Sequence, residues 1–223
     1  MHPMKLISKG KGNTDLISGY TSSSIGISEQ VSLNVGVNAQ VLTLNNSWAL
    51  EPRAGIKWQF SPKSSFALAY GLHSRMEKMD VYFVKTQGTG DRSVNKDLGF
   101  TKAHHVMLSY GFKISDNANM KIEPYFQQLY NVPVIADSSY SVLNRRDFYV
   151  ENVLVNQGKG RNIGVDITLE RYLYKGLYYM VTASIFDSKY YGGDRKWRNT
   201  LYNRNFIVNV LGGKEWMVGR DKQ

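Results

Sequence analysis

From Glu29 to Leu42 the sequence runs EQVSLNVGVNAQVL. Val31, Leu33, Val35, Val37, Ala39 and Val41 fall on one face, and Ser32, Asn34, Gly36, Asn38 and Gln40 on the other. A repeat of two residues is the period of a β-strand, whose successive side chains point to opposite sides of the sheet. The same alternation returns after each turn signal. It predicts about nine strands, the first near 16–27, then 31–42, 48–60, 66–72, 106–114, 120–127, 163–170, 177–185 and a last one near 205–218. Pro124 falls inside the sixth of these. It cannot donate to a ladder, so a bulge or an imperfectly paired position is expected there.

After a short loop at 43–47, the connections from Phe60 onward sort by length. Tight turns are expected near 28–30, 61–65, 115–119 and 173–176, and long segments over 73–102, 131–161 and 187–203. In an up-and-down antiparallel sheet alternate connections lie at the same end, so the tight turns share one end and the long loops the other. Barrels of the outer membrane show this asymmetry, with short periplasmic turns and longer extracellular loops. Trp58, Phe60 and Phe66 flank one tight turn, Phe112 precedes another, and Tyr172, Tyr174, Tyr178 and Tyr179 flank a third. Rings at every tight turn predict an aromatic girdle at one membrane interface. The expected architecture is all-β: an antiparallel up-and-down transmembrane β-barrel segment, with residues 1–223 belonging to one barrel domain.

Composition changes this picture only in part. Mean hydropathy is -0.37, and no run of about 18 apolar residues predicts a transmembrane helix. Membrane barrels escape that test, because only alternate residues need be apolar. The 223 residues include no cysteine, which excludes disulfides, thiolate zinc sites and cysteine nucleophiles together. Net charge is +10, but the basic residues are scattered over strands and loops without a compact basic helix, so nucleic acid is not an expected partner. Arg53, Lys57, Lys113, Glu123, Asp166 and Glu170 fall on the inner face of their strands. Packed into a narrow core they would be costly, so a wide, water-facing lumen is expected.

Enzyme chemistry is not expected. No HExxH motif, phosphate loop or nucleophile elbow occurs. Of the four histidines, His2, His73, His104 and His105, the adjacent pair would aim at opposite faces of a strand, which is poor geometry for one metal. Gly88-Thr89-Gly90 and Gly158-Lys159-Gly160 read as flexible loop residues. No catalytic, metal or cofactor-binding residue is expected.

Two runs carry a resemblance. SWALEPRAGIKWQFSPKSSFALAYGLHS, residues 47–74, and ENVLVNQGKGRNIGVDI, residues 151–167, resemble the barrel of TonB-dependent outer-membrane receptors, above all the large Bacteroidetes-type members. The resemblance implies a barrel of about 22 strands with a plugged lumen. It also implies import of a scarce, bulky ligand such as an iron chelate, cobalamin or a glycan, with energy passed from the inner membrane. This chain has too few strands for that barrel, no plug domain, no energy-coupling box and no terminal aromatic, so a fragment of the middle-to-late barrel is expected. MHPMKLISKGKGN at its start lacks the apolar core of a secretory signal, which fits an export signal lying upstream. The expected location is the outer membrane of a Gram-negative cell. The partners implied are outer-membrane lipid, the remainder of the same barrel with its plug domain, and the energy-coupling inner-membrane complex. Ligand contacts would come from the long loops, where aromatics stack on sugars or chelate rings; the candidates are Tyr82, Tyr140, Tyr149, Tyr191 and Trp197. The alternative is a small self-closed outer-membrane barrel acting as an adhesin, pore or structural protein, since eight strands can close.

Overall fold

Period-two alternation becomes strand at each expected position in the computed structural model, which describes residues 13–86, 93–145 and 149–216. The strands are β1 (Leu16–Gly26), β2 (Val31–Leu42), β3 (Ser47–Ser61), β4 (Ser64–Arg75), β5 (Thr101–Ser115), β6 (Ala118–Val134), β7 (Val155–Tyr174), β8 (Leu177–Tyr191), β9 (Trp197–Asn199) and β10 (Phe206–Lys214). All ten lie in one sheet. The order β1-β2-β3-β4-β5-β6-β7-β8-β10 follows the chain, with the short β9 paired to β8. Every pairing is antiparallel, so the sheet is a simple up-and-down meander. One helical turn, α1 (Met79–Tyr82), lies between β4 and β5, and a 3-10 turn, Val142–Asn144, between β6 and β7.

The tenth strand, β9, has three residues, too few for alternation to be visible in the sequence. The other difference is length. β5 begins at Thr101, β6 runs on to Val134 and β7 begins at Val155, because backbone pairing continues past the stretch whose outward side chains are apolar. Gly158 and Gly160 therefore lie in β7 and not in a loop. A Cβ on Gly158 would sit 2.4 Å from Val134 Cγ1 and 2.8 Å from Val132 O, and one on Gly160 would sit 2.6 Å from Leu143 Cδ1. These two glycines let β6 and the 142–144 turn approach the β7 backbone closely. Gly88-Thr89-Gly90 and the far end of the last expected strand fall outside the described residues.

The prolines leave the marks expected of a missing donor. Opposite Pro124 the β5–β6 ladder is interrupted between Met107↔Tyr125 and Tyr110↔Ile122. The register is the same on both sides, so the position is imperfectly paired and not bulged. Pairing of β3 with β4 stops at Arg53↔Gly71, directly before Pro52. Where β7 meets β8, Lys175 (φ 52°) and Gly176 (φ 72°) both take left-handed backbone, the requirement of a two-residue hairpin turn that matches strand twist.

Burial is inverted relative to a water-soluble domain. Among the described residues 37 large hydrophobic side chains are exposed and 13 hydrophobic residues are buried. Many of the exposed ones line the outward face, as with Ile56 on β3, Leu68 on β4, Leu108 on β5, Ile163 on β7 and Ile185 on β8. At the tight-turn end Trp58, Phe60, Phe66 and Tyr110 form a run of rings with centroids 5.4, 5.3 and 5.0 Å apart. Tyr172 leaves this girdle for the inner face, where Asn119 Nδ2 donates to its hydroxyl at 3.3 Å. β1 and β10 each have a single neighbour, and no pairing among the described residues joins them. Among the described residues the sheet is open and forms no self-closed barrel.

Candidate functional site

The inner face of the sheet carries charged and amide side chains along its length, with small and apolar residues between them. Glu123 pairs across the ladder with Asp166 and receives Lys121 Nζ at 2.9 Å, while Lys113 meets Asp116 at 3.2 Å at the β5–β6 turn. Strand parity sets this face, since the inward residues of neighbouring strands pair with one another. Between β1 and β5 the wall curves around a concavity of about 890 Å³, lined among others by Asn34, Asn38, Arg53, His73 and His105. The rings of His73 and His105 lie 6.3 Å apart, with Tyr125 edge-on to His105 at 6.4 Å. His104 points to the outer face, as its adjacency to His105 dictates; it stacks on Tyr130 at 5.2 Å and its Nδ1 meets the Tyr70 hydroxyl at 2.9 Å. No group of three or more metal-ligating side chains occurs among the described residues.

Glu51 organises the upper part of this wall. Its side chain is buried, and its carboxylate accepts from Asn38 Nδ2 (3.0 Å), Gln40 Nε2 (2.7 Å), Arg53 Nη2 (3.0 Å), the Ser74 N–H (2.8 Å) and the Ser74 hydroxyl. The reason lies one residue away. Pro52 has no N–H for the ladder, β3 and β4 separate there, and the Glu51 carboxylate takes the Ser74 backbone donor that the ladder leaves over. Substituting Glu51 by Ala removes the acceptor for several buried donors at once. The expected cost is about 3 kcal/mol, against less than half of that for Glu51→Gln, and chemical denaturation of the whole protein in lipid measures both.

The described parts of the long loops are packed together. Leu42 and Ala49, on the inner face at the strand tips, are buried under Val81, Tyr82, Val84, Leu98 and Phe100 from the 76–100 segment and Val150 and Leu154 from the 135–154 segment. Asn95 ties these two segments together: its Nδ2 donates to Asn152 O (3.0 Å) and its Oδ1 accepts from the Leu154 N–H (2.8 Å). Asn45 Nδ2 donates to Lys96 O and Leu98 O at 3.0 and 2.8 Å. The two long loops and the β2–β3 turn thus form a small apolar core over the inner face at one end of the sheet.

Within this frame the five aromatic candidates divide. Tyr82 is wholly buried in the loop core, its hydroxyl accepting from the Glu77 N–H at 3.2 Å; burial pushes its phenol up from the ordinary value. Tyr140 is half-buried and packs against the same core. Tyr149 is 61% exposed in the 135–154 segment. Tyr191 and Trp197 lie against each other at 5.4 Å, paired across β8 and β9. Their parity places them on the outer face, since Lys159 opposite Tyr191 shares the outward side of β7 with Ile163. Sequence reasoning missed Glu51, Arg53, His73 and His105 as one inner-wall cluster. The signal present was parity; the register that brings three strands together was not.

Beyond Tyr191 the chain turns through 192–196, where Arg198 clamps Asp194 by two bonds of 2.9 and 2.5 Å. These bonds hold the Asp194 carboxyl below its usual range. A folded value below the unfolded one contributes stability that is present above the ordinary carboxylate range and lost as pH falls through the lowered value. Protease protection of the 192–196 turn is therefore expected to hold at neutral pH and fall only in acid below about pH 4; Asp194→Asn should weaken it at neutral pH and remove that acid step.

No family profile and no curated protein matches the sequence. Solved structures do. The siderophore receptor PiuA from Acinetobacter baumannii matches over 89% of this chain and 31% of its own at a TM-score of 0.67 and 14% identity. The outer membrane transporter YddB from Escherichia coli matches over 89% and 31% at 0.66 and 13% identity. The ferric-catecholate import receptor Fiu from E. coli K12 matches over 89% and 32% at 0.68 and 12% identity. This chain thus spans about a third of the length of these proteins and has the fold of a stretch of their barrel wall.

Proposed function

We propose that this chain, which has the fold of an outer-membrane transporter's barrel wall, is a stretch of the β-barrel of a TonB-dependent receptor and works in transport, not as an enzyme. The observation that carries the reading is the sheet's inversion: an apolar outer face, a charged inner face that the described residues cover only at the long-loop end, and two open edges. A membrane admits strands only in a closed barrel, and a charged inner wall suits a wide lumen holding water or a plug. Outer-membrane lipid then covers the outer face, and the remaining strands and plug of the same receptor complete the barrel. The energy-coupling inner-membrane complex would act through that plug, and the location would be the outer membrane of a Gram-negative cell.

The tight turns at 175–176 and its companions would face the periplasm and the long loops the exterior. A ferric chelate is the first ligand to test, because the similar structures are named for siderophores and ferric catecholate; cobalamin and glycans follow. Ligand contact falls to Tyr149, which faces solvent, and to the Arg53–His73–His105 wall, since Tyr82 and Tyr140 pack in the loop core. Deleting the gene in the source cell is expected to abolish growth on at least one ferric chelate supplied as sole iron. Restoring it with Tyr149→Ala should recover growth with uptake reduced severalfold at limiting ligand. A deletion strain that uses every ferric chelate, cobalamin and glycan as well as its parent does would overturn the reading.

A further inference from the structure

On the outward face of β7 and β8, Lys159, Arg161 and Lys189 gather at the long-loop end beside Tyr191 and Trp197. Register puts Lys159 opposite Tyr191 and Arg161 opposite Lys189. Lys159 Nζ lies 5.7 Å from the Tyr191 ring and the Arg161 guanidinium 5.4 Å from the Trp197 ring. The one acid on this patch, Asp187, is already occupied by Lys189 Nζ at 3.1 Å and Asn203 Nδ2 at 2.9 Å. A guanidinium held against an aromatic face, with two ammonium groups beside it, suits a multiply charged oxyanion such as a phosphate.

Position decides the source of that phosphate. Immediately below the patch the outward residues of β7 are Ile163, Val165, Ile167 and Leu169, followed by Arg171 against Tyr174 at 5.7 Å. Arg161 and Arg171 lie ten residues apart on one strand, which at roughly 3.3 Å per residue and a tilt near 40° spans about 25 Å, the height of the apolar band of a membrane barrel. The cationic patch therefore sits at the level of lipid head groups, facing away from the lumen.

Resting on the barrel-wall reading above, we infer that Lys159, Arg161 and Lys189, framed by Tyr191 and Trp197, form a docking site for the phosphorylated head group of an outer-leaflet lipid. Tyr191 and Trp197, which as loop aromatics are candidates for ligand contact, then serve as the amphipathic floor of a lipid site.

The test uses the whole receptor, purified from outer membranes in mild detergent and titrated with phosphatidic acid or with diacylglycerol of the same chains, bound lipid being counted by native mass spectrometry. The expected result is binding of phosphatidic acid in clear preference to diacylglycerol. Replacing Lys159, Arg161 and Lys189 together by Gln should weaken it roughly a hundredfold, at about fivefold for each basic residue set near a head group, while Lys57→Gln on the inner face leaves it unchanged. Equal binding of both lipids by the unaltered receptor, or wild-type affinity in the triple variant, would overturn the inference; the first comparison decides even where the triple variant does not assemble. A protein found in the outer membrane that binds both lipids equally removes this inference alone, whereas a protein absent from that membrane removes the barrel reading with it.

Discussion

Produced alone in water, the 223-residue chain is expected to collect in insoluble material and to show no cooperative unfolding transition. The outward face leaves Ile163 at 50%, Ile185 at 62%, Leu68 at 48% and Phe206 at 68% exposure, among many others. Each such side chain, about half exposed, forgoes about half of the roughly 1.5–3 kcal/mol that full burial supplies, so a dozen or so match the roughly 5–15 kcal/mol by which a domain is ordinarily stable. The two unpaired strand edges add a second route to association. Sedimentation and circular dichroism in buffer measure this. A soluble monomer with a sharp thermal transition would mean that the outer face is covered by something other than lipid.

In the intact protein Tyr82→Ala is expected to open the loop core at a cost of about 3–5 kcal/mol, the usual range for emptying a buried aromatic site. Tyr82 is fully buried among Val81, Val84, Leu98, Phe100, Val150 and Leu154. That core touches the sheet only at the tips of β2 and β3, through Leu42 and Ala49, so the damage should be local. Protease cleavage should increase sharply within 76–100 and 135–154, while the strands stay protected and the protein stays in its membrane. Tyr82→Phe keeps the ring and loses only the hydroxyl that accepts from the Glu77 N–H, so it should cost about 1 kcal/mol. Equal cleavage in Tyr82→Ala and the parent would show that the loops do not depend on this core.

Much of the fold was legible because its signal is local. Val31 to Val41 alternate without interruption, and β2 follows them residue for residue. The inward charges Lys57, Glu123 and Asp166 and the outward rings Trp58, Phe60 and Phe66 are all placed by parity alone. Pro124 announced its own defect in the β5–β6 ladder. The strand tips were not legible, since Lys159 and Arg161 lie on β7 through pairing with β8 and carry no apolar alternation. Gly158 reads as loop until Val132 and Val134 are brought beside it. The site was legible only in outline. Tyr82 and Tyr149 look alike in the sequence, both aromatic residues in long polar segments; one is buried and one exposed because Asn95 draws the two segments together around an apolar cluster. The Glu51 hub likewise depends on where Pro52 parts two strands.

The most direct test of the central claim is an immunoblot of separated membranes from the source cell, with an antibody raised to the 138–160 segment, on samples loaded with and without heating. The barrel-wall reading predicts a heat-shifting band in the outer membrane several times heavier than 25.4 kDa, as a chain about a third of its receptor's length requires. A heat-shifting band near 25.4 kDa in that membrane, or signal confined to the soluble fraction, would contradict it.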